Sequence, residues 1–223
     1  MSRMNRRPRH ASGDRKAWTR SERDAFFKAA EQTGAVPYAF LRTAYETASR
    51  VTEVLHLRWS DVDLKGRTIR VVRIKGSKTV VADVSDRLVT ALGSLKRKGE
   101  LLFHSRFSCE ERPKGQTRPR KSGMAWEHCP GGHMLRRQVN VWVEAIGKAI
   151  ELEPGLRHPH TLKHTRLCDE ARLYKKEGPA AMLAAVRRLS GHATDSALMI
   201  YLDEPEVLVE ASKKSRAALE AVG

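Results

Sequence analysis

Cysteine is scarce: Cys109, Cys129 and Cys168 are the only three in 223 residues. A small, odd number excludes a disulfide framework and fits a reducing compartment. No run of about 18 apolar residues occurs, so no membrane-spanning helix is expected. The basic start MSRMNRRPRH has no apolar stretch behind it and does not read as a secretory signal. The chain is therefore expected to stay inside the cell, with no membrane partner. A glycine-rich phosphate loop and a carboxylate cluster suited to Mg²⁺ are also missing, which speaks against nucleotide- or metal-driven chemistry. What the chain lacks most is acid, with 26 Asp+Glu against 42 Lys+Arg and a formal net charge of +16. Such an imbalance calls for a polyanionic partner. With 40% hydrophobic and 30% charged residues the chain can still bury a core.

The positive charge is concentrated. Residues 1–17 form an expected flexible basic arm, carrying Arg3, Arg6, Arg7, Arg9, Arg15 and Lys16 against Asp14. A second basic stretch holds Arg106, Arg112, Lys114, Arg118, Arg120, Lys121, Arg136 and Arg137, interrupted by Pro113, Gly115, Pro119 and Gly123. Residues 104–133 of it read as a long insertion, and loops of that length inside a domain are commonly functional. Two basic segments on one cationic chain suggest contact with a phosphate backbone. Arg6, Arg7, Arg118, Arg120, Lys121, Arg136 and Arg137 are the expected contact residues, although surface charge that is merely solvated has the same composition.

Periodicity then orders the body of the chain. Thr19 or Ser21 can cap a helix to Glu31, with Phe26, Phe27, Ala29 and Ala30 on its apolar face, and Gly34 ends it. Phe40, Leu41, Ala44 and Tyr45 mark a second helix, and Val54, Leu55 and Leu57 a third, with Arg50 at their junction. The β-branched runs Thr68–Ile74 and Thr79–Val84 flank Lys75-Gly76-Ser77-Lys78, a hairpin signal. Ser85 opens a helix through Leu88, Leu92 and Leu95. Later helices follow from about Leu135, from Pro159 to about Tyr174, and through Met182, Leu183, Val186 and Leu189 to a stop at Gly191. Residues 193–202 and 205–219 can each be helical. The expected class is mainly α with a small antiparallel β-sheet (α+β), as one domain plus the arm.

Few residues stand out as chemistry. His160, Lys163 and His164 fall at i, i+3 and i+4, hence on one helix face, where two imidazoles and an ammonium repel unless an anion lies between them. The bland alternative is one core histidine with the other side chains solvated. Cys109, His128, Cys129 and His133 are the only set resembling zinc ligands, but they contain no CxxC pair, so no metal and no cofactor is expected. Leu189-Ser-Gly-His192 is followed nine residues later by Tyr201. Alone, a tyrosine so placed is more often packing than nucleophile.

The order of these pieces changes that. The series is Thr43-Ala-Tyr-Glu-Thr-Ala-Ser-Arg50-Val-Thr-Glu53, the Lys75/Lys78 hairpin, His160-Thr-Leu-Lys163-His164, Leu-Ser-Gly-His192 and Tyr201. It resembles the catalytic domain of the tyrosine recombinase (phage integrase) family, from about Trp18 to Glu204. The resemblance implies a domain over 18–204, a C-terminal helical tail over 205–223, and no usual N-terminal core-binding domain. It implies a catalytic set of Arg50, Lys75 or Lys78, His160, Lys163, His192 and Tyr201. Glu53 and His164 would support them. Lys163 is a departure: the family pattern has arginine there, whose planar fork grips two phosphate oxygens, whereas lysine is a point charge. Ser49 and Ser190 stand where the family usually has leucine.

By that resemblance the chain would cleave and rejoin DNA through a 3′-phosphotyrosine, in site-specific recombination for a phage or mobile element of the prokaryotic cytosol and nucleoid. Arg50, Lys163 and His192 would clamp the phosphate. His160 would act as base for Tyr201, whose reference pKa lies near ~10, and a hairpin lysine would protonate the leaving 5′-oxygen. Double-stranded DNA is the expected partner, with homo-oligomers forming through the C-terminal tail, and an accessory protein standing in for the N-terminal domain. Two alternatives stay open: a DNA-binding accessory or regulatory protein with weakened cleavage, and a type IB topoisomerase-like relaxase.

Overall fold

The computed structural model describes residues 17–74, 78–104 and 134–191, together with Leu198. Helix α1 (Arg20–Thr33) begins at Thr19, whose hydroxyl accepts from the Glu22 amide (3.3 Å) while the Glu22 carboxylate accepts from the Thr19 amide (2.7 Å). This reciprocal cap satisfies two amides that the helix itself leaves unpaired. Gly34 closes α1 at φ +121°, and α2 (Ala35–Glu46) follows directly and is buried along most of its second half.

The turn after α2 places the site. Ser49 N–H donates to Ala44 O and Ala48 N–H to Tyr45 O, both at 2.9 Å, which is a Schellman closure with Ala48 at φ +47° in the position that glycine favours. The chain reverses within three residues and re-enters a helix at α3 (Val51–Leu55), with Arg50 as its cap residue. Strands β1 (Val62–Asp63), β2 (Thr68–Val72) and β3 (Thr79–Asp83) form one antiparallel sheet in the order β1-β2-β3, with Ile69 opposite Ala82 and Val71 opposite Val80. The hairpin matches its expectation. β1 was not expected, because two residues are too few to show alternation. Helix α4 (Asp86–Gly93) is capped by Ser85, and α5 (Arg136–Ala149), α6 (His160–Leu173) and α7 (Pro179–Ser190) complete the fold. Pro159 sits just ahead of α6 rather than in its first turn.

Two apolar clusters hold these elements. The larger joins α1, α2, α3, α5 and the sheet around Phe26, Phe40, Leu41, Ile69, Phe103 and Ile146. The smaller joins α6 and α7 to Ala17, Ala48, Ala82 and Leu198. Trp18 ties the start of the described chain to its last third. It is 1% exposed, lies 4.3 Å from the Phe26 ring centroid, and donates through Nε1 to Leu156 O (3.2 Å) and through its amide to Thr165 Oγ1 (3.0 Å). Ala17, assigned to the arm from sequence, already packs in the smaller cluster. Residues 1–16, most of the 104–133 insertion and the 205–223 tail lie outside the described residues.

Truncating Trp18 removes its ring packing and the indole hydrogen bond to Leu156 O together, while the amide bond to Thr165 is kept. Trp18→Ala should cost about 3–5 kcal/mol in urea unfolding. Trp18→Phe, which keeps the aromatic contact, should cost clearly less.

Candidate active site

Glu53 is the centre of the site. It sits in the first turn of α3, 3% exposed. Its Oε1 accepts from the Arg50 guanidinium at 2.9 Å and its Oε2 from the Arg50 amide at 2.8 Å. The Arg73 guanidinium donates to Oε2 at 2.9 Å. Burial alone would raise the pKa of Glu53, but the Arg50 amide and the charges of Arg73 and Lys163 outweigh it, so its carboxylate titrates below the usual value. Removing either partner of a buried pair like Glu53–Arg73 leaves the other charge uncompensated.

Arg73 was not singled out from sequence. Its side chain is 1% exposed and donates to four groups besides Glu53: Ser49 Oγ (2.9 Å), Ala48 O (3.4 Å), Thr47 O (2.8 Å) and Leu189 O (2.6 Å). Strand parity held the signal. Ile69 and Val71 point inward and Arg70 and Val72 outward, so Arg73 continues the inward row. A charge in an inward register needs an internal partner.

Helix α6 brings in the next residues. Lys163 is 1% exposed, and its ammonium has no hydrogen-bond partner among the described residues. Burial first, then the charges of Arg50 and Arg73, push its pKa from 10.5 down to about 7, against the pull of Glu53. His160 opens outward at the start of the helix. Its ring meets the His164 ring edge-on at 4.6 Å between centroids, and His164 is only 8% exposed. The bland expectation of one core histidine with Lys163 solvated is corrected here: both His164 and Lys163 are buried, because α6 packs between α2 and α7 on this side. The pKa of His160 is lowered by desolvation and then by Lys163, His158, Arg50 and Arg136. A neutral imidazole at this position can accept a proton.

Arg50 and His160 share one wall of an open groove of about 890 Å³. Arg136, Arg137, Lys148 and Arg157 line it as well, and Glu144 is the one acid among its lining residues. Glu144 is already engaged by Lys148 (3.3 Å) and Arg157 (3.9 Å), which leaves the groove electropositive. Lys148 and Arg157 were missed in sequence; helical spacing from Arg137 through Glu144 to Lys148 is the signal for the first. Lys78 is exposed at the base of the hairpin, its carbonyl accepting from the Arg73 amide at 2.9 Å. Lys75, His192, Tyr201, Arg6, Arg7, Arg118, Arg120 and Lys121 lie outside the described residues, as do Cys109, His128, Cys129 and His133.

Comparison with known proteins agrees with this fold. Residues 16–206 match the phage integrase family, and the chain belongs to that family as a tyrosine recombinase catalytic domain. It is 30% identical over 164 residues to the tyrosine recombinase XerC of Thermodesulfovibrio yellowstonii, covering 73% of this chain and 48% of that protein. The chain thus spans about half the length of the curated relative it matches. Among solved structures, XerA recombinase superposes with a TM-score of 0.66 at 21% identity, covering 94% of this chain and 66% of the other. XerH recombinase, bound to a palindromic difH substrate after cleavage, gives 0.64 at 19%, covering 88% and 52%. A lambda integrase dimer on a core site gives 0.57 at 19%, covering 84% and 47%. At these identities the structures establish the shared fold. Among the described residues no helix is long and apolar enough to cross a membrane.

The burial of Lys163 has a measurable sign. Below about pH 7 it is charged in both the folded and the unfolded chain, and the full cost of burying the charge is carried. Between that pH and its ordinary value of 10.5 only the unfolded chain holds the proton, so stability rises with pH. Lys163→Met should therefore gain on the wild type most at about pH 6 and least near about pH 10, read as the difference in urea midpoints.

Proposed function

We propose that the chain cleaves and rejoins double-stranded DNA through a 3′-phosphotyrosine, as the catalytic part of a site-specific recombinase serving a phage or mobile element. One observation carries this: Arg50 and His160 face the same electropositive groove, in a chain whose sequence continues to His192 and Tyr201 in the family's order. Duplex DNA is the polyanion such a groove suits, and neutralising its phosphates releases counterions.

In the first step the Tyr201 oxygen attacks the scissile phosphorus and its proton passes to His160. The P–O5′ bond breaks, and the leaving 5′-oxygen takes a proton from Lys75 or Lys78. A phosphotyrosine and a free 5′-hydroxyl result. Attack by a 5′-hydroxyl reverses the step, so the phosphodiester is restored without another energy source. Arg50, Lys163 and His192 would stabilise the charge that builds on the non-bridging oxygens, the largest contribution such a site can make. Glu53 keeps Arg50 in place. The arm, the insertion with Arg118, Arg120 and Lys121, and the groove residues Arg136 and Arg137 would hold the backbone, while the tail over 205–223 would dock on a neighbouring protomer.

The burial of Lys163 favours a second reading, a DNA-binding relative with weakened cleavage, because an ammonium with a pKa of about 7 is a conditional clamp. Covalent trapping separates the two. With nicked suicide duplexes from the neighbourhood of its own gene, the wild type should form a denaturation-resistant adduct that Tyr201→Phe abolishes. Its kcat/KM should fall as pH rises through about 7, where Lys163 loses its charge, and Lys163→Arg should remove that fall. Binding without an adduct, restored to cleavage by Lys163→Arg, would establish the second reading. If neither protein forms an adduct with duplexes that it binds, the cleavage assignment is wrong.

A further inference from the structure

Both oxygens of Glu53 are occupied. Oε1 is taken by the Arg50 guanidinium, and Oε2 by the Arg50 amide and Arg73. Glu53 is also the acid whose charge acts on Lys163. Three cations thus converge on one carboxylate, and Lys163 is the one left without a hydrogen bond among the described residues.

The groups around Lys163 can be named element by element. Arg50 acts on it from the α2–α3 turn, Glu53 from the first turn of α3 and Arg73 from just past β2, and His160 and His164 flank it on α6. His158, before α6, acts on His160. Apart from Glu53, every one of these is a cation or can become one. If Arg73 were absent, Oε2 would lose its guanidinium, and the cation whose charge already acts on Glu53 without a hydrogen bond among the described residues is Lys163.

Arg73 also fixes the frame around this cluster. One of its terminal nitrogens reaches Glu53 and Ser49, and the other bridges Thr47 O in the α2–α3 turn to Leu189 O at the end of α7. A planar fork can serve such divergent acceptors; a single ammonium cannot. Gly191 follows with φ +67°, and a Cβ there would come within 3.0 Å of Arg73 Cγ. Glycine at that position lets the backbone leading to His192 lie against the arginine stem.

We propose that Arg73 is a positioning residue: by occupying Glu53 and locking the α2–α3 turn to the end of α7, it denies Lys163 an internal counter-ion and keeps that ammonium available to the DNA phosphate. The phosphate in this statement rests on the recombinase reading; the denial of the counter-ion does not. Lysine at position 163 can pair with a carboxylate as a point charge, so this site needs Arg73 to hold that carboxylate occupied.

The test is the titration of Lys163 in the DNA-free full chain, followed by NMR of ¹⁵N/¹³C-labelled lysine and assigned with Lys163→Arg. The wild type should titrate near neutrality. Arg73→Gln, and Arg73→Met as a second variant of similar reach, should both fold, because Lys163 takes over the carboxylate. Their Lys163 midpoints should rise by about one unit or more, each unit being a tenfold change in the protonation ratio. Arg73→Lys restores a cation to Glu53 and should return the midpoint most of the way to the wild-type value. The alkaline limb of kcat/KM should move in parallel, which a role confined to packing would not produce. An unmoved midpoint in a folded Arg73→Gln, equal shifts in Arg73→Gln and Arg73→Lys, or failure of both charge-removing variants to fold would each overturn the proposal. A wild type that forms no adduct counts against the recombinase reading alone, since the titration is read without DNA.

Discussion

A carboxylate taken out of water must be met on every side, and in this fold that requirement falls on Glu53. A five-residue helix has little stability of its own. α3 persists because its first turn is stitched to Arg50 behind it and to Arg73 across the sheet. The same bonds set where the Arg50 guanidinium points. Charge on Arg50 would be of little use if its side chain swung freely, because stabilising a developing oxyanion depends on donors already in place. The deep pair Glu53–Arg73 is an uncertain source of net stability, since desolvation offsets attraction. Its value lies in geometry.

Replacing an arginine by a lysine in such surroundings changes more than shape. Guanidinium keeps its charge under any physiological condition, whereas a buried ammonium crowded by other cations gives up its proton readily. Lys163 therefore links the state of the site to the medium. On the proposed recombinase reading, an approaching DNA phosphate adds a second anion beside Glu53 and draws the proton back onto Lys163. On that reading the clamp is assembled by its substrate, and the protein at rest avoids holding three cations around the single carboxylate of Glu53.

Much of the architecture was legible along the chain. Thr19 with Glu22 and Ser85 are local signals, and a helix begins where each stands; the two β-branched runs pair as an antiparallel hairpin. Arg50 and His160, 110 positions apart in numbering, come to one groove wall, which the ordered motif anticipates and periodicity alone does not. Arg73 was hidden because an arginine in a β-branched run reads, like Arg70, as an outward strand position until its parity is counted. The depth of Lys163 was hidden because i, i+3, i+4 spacing defines a face without saying what covers it; α6 packs against α2, remote in sequence, and against α7, the next helix. Lys148 and Arg157 belong to the groove only through the packing of α5 against the turn before α6.

The bond from Trp18 to Thr165 spans 147 positions, and that from Arg73 to Leu189 spans 116. During synthesis the ribosome releases the chain from its N-terminal end, so the layer of α1, α2 and the sheet can collapse early around Phe26 and Phe40. Neither long bond can form until α6 and then α7 have emerged. The cationic cluster is thus completed only once α7 has been made, and a nascent chain that stops short of α7, however basic, carries Arg50 and Glu53 without the far wall that holds them in register.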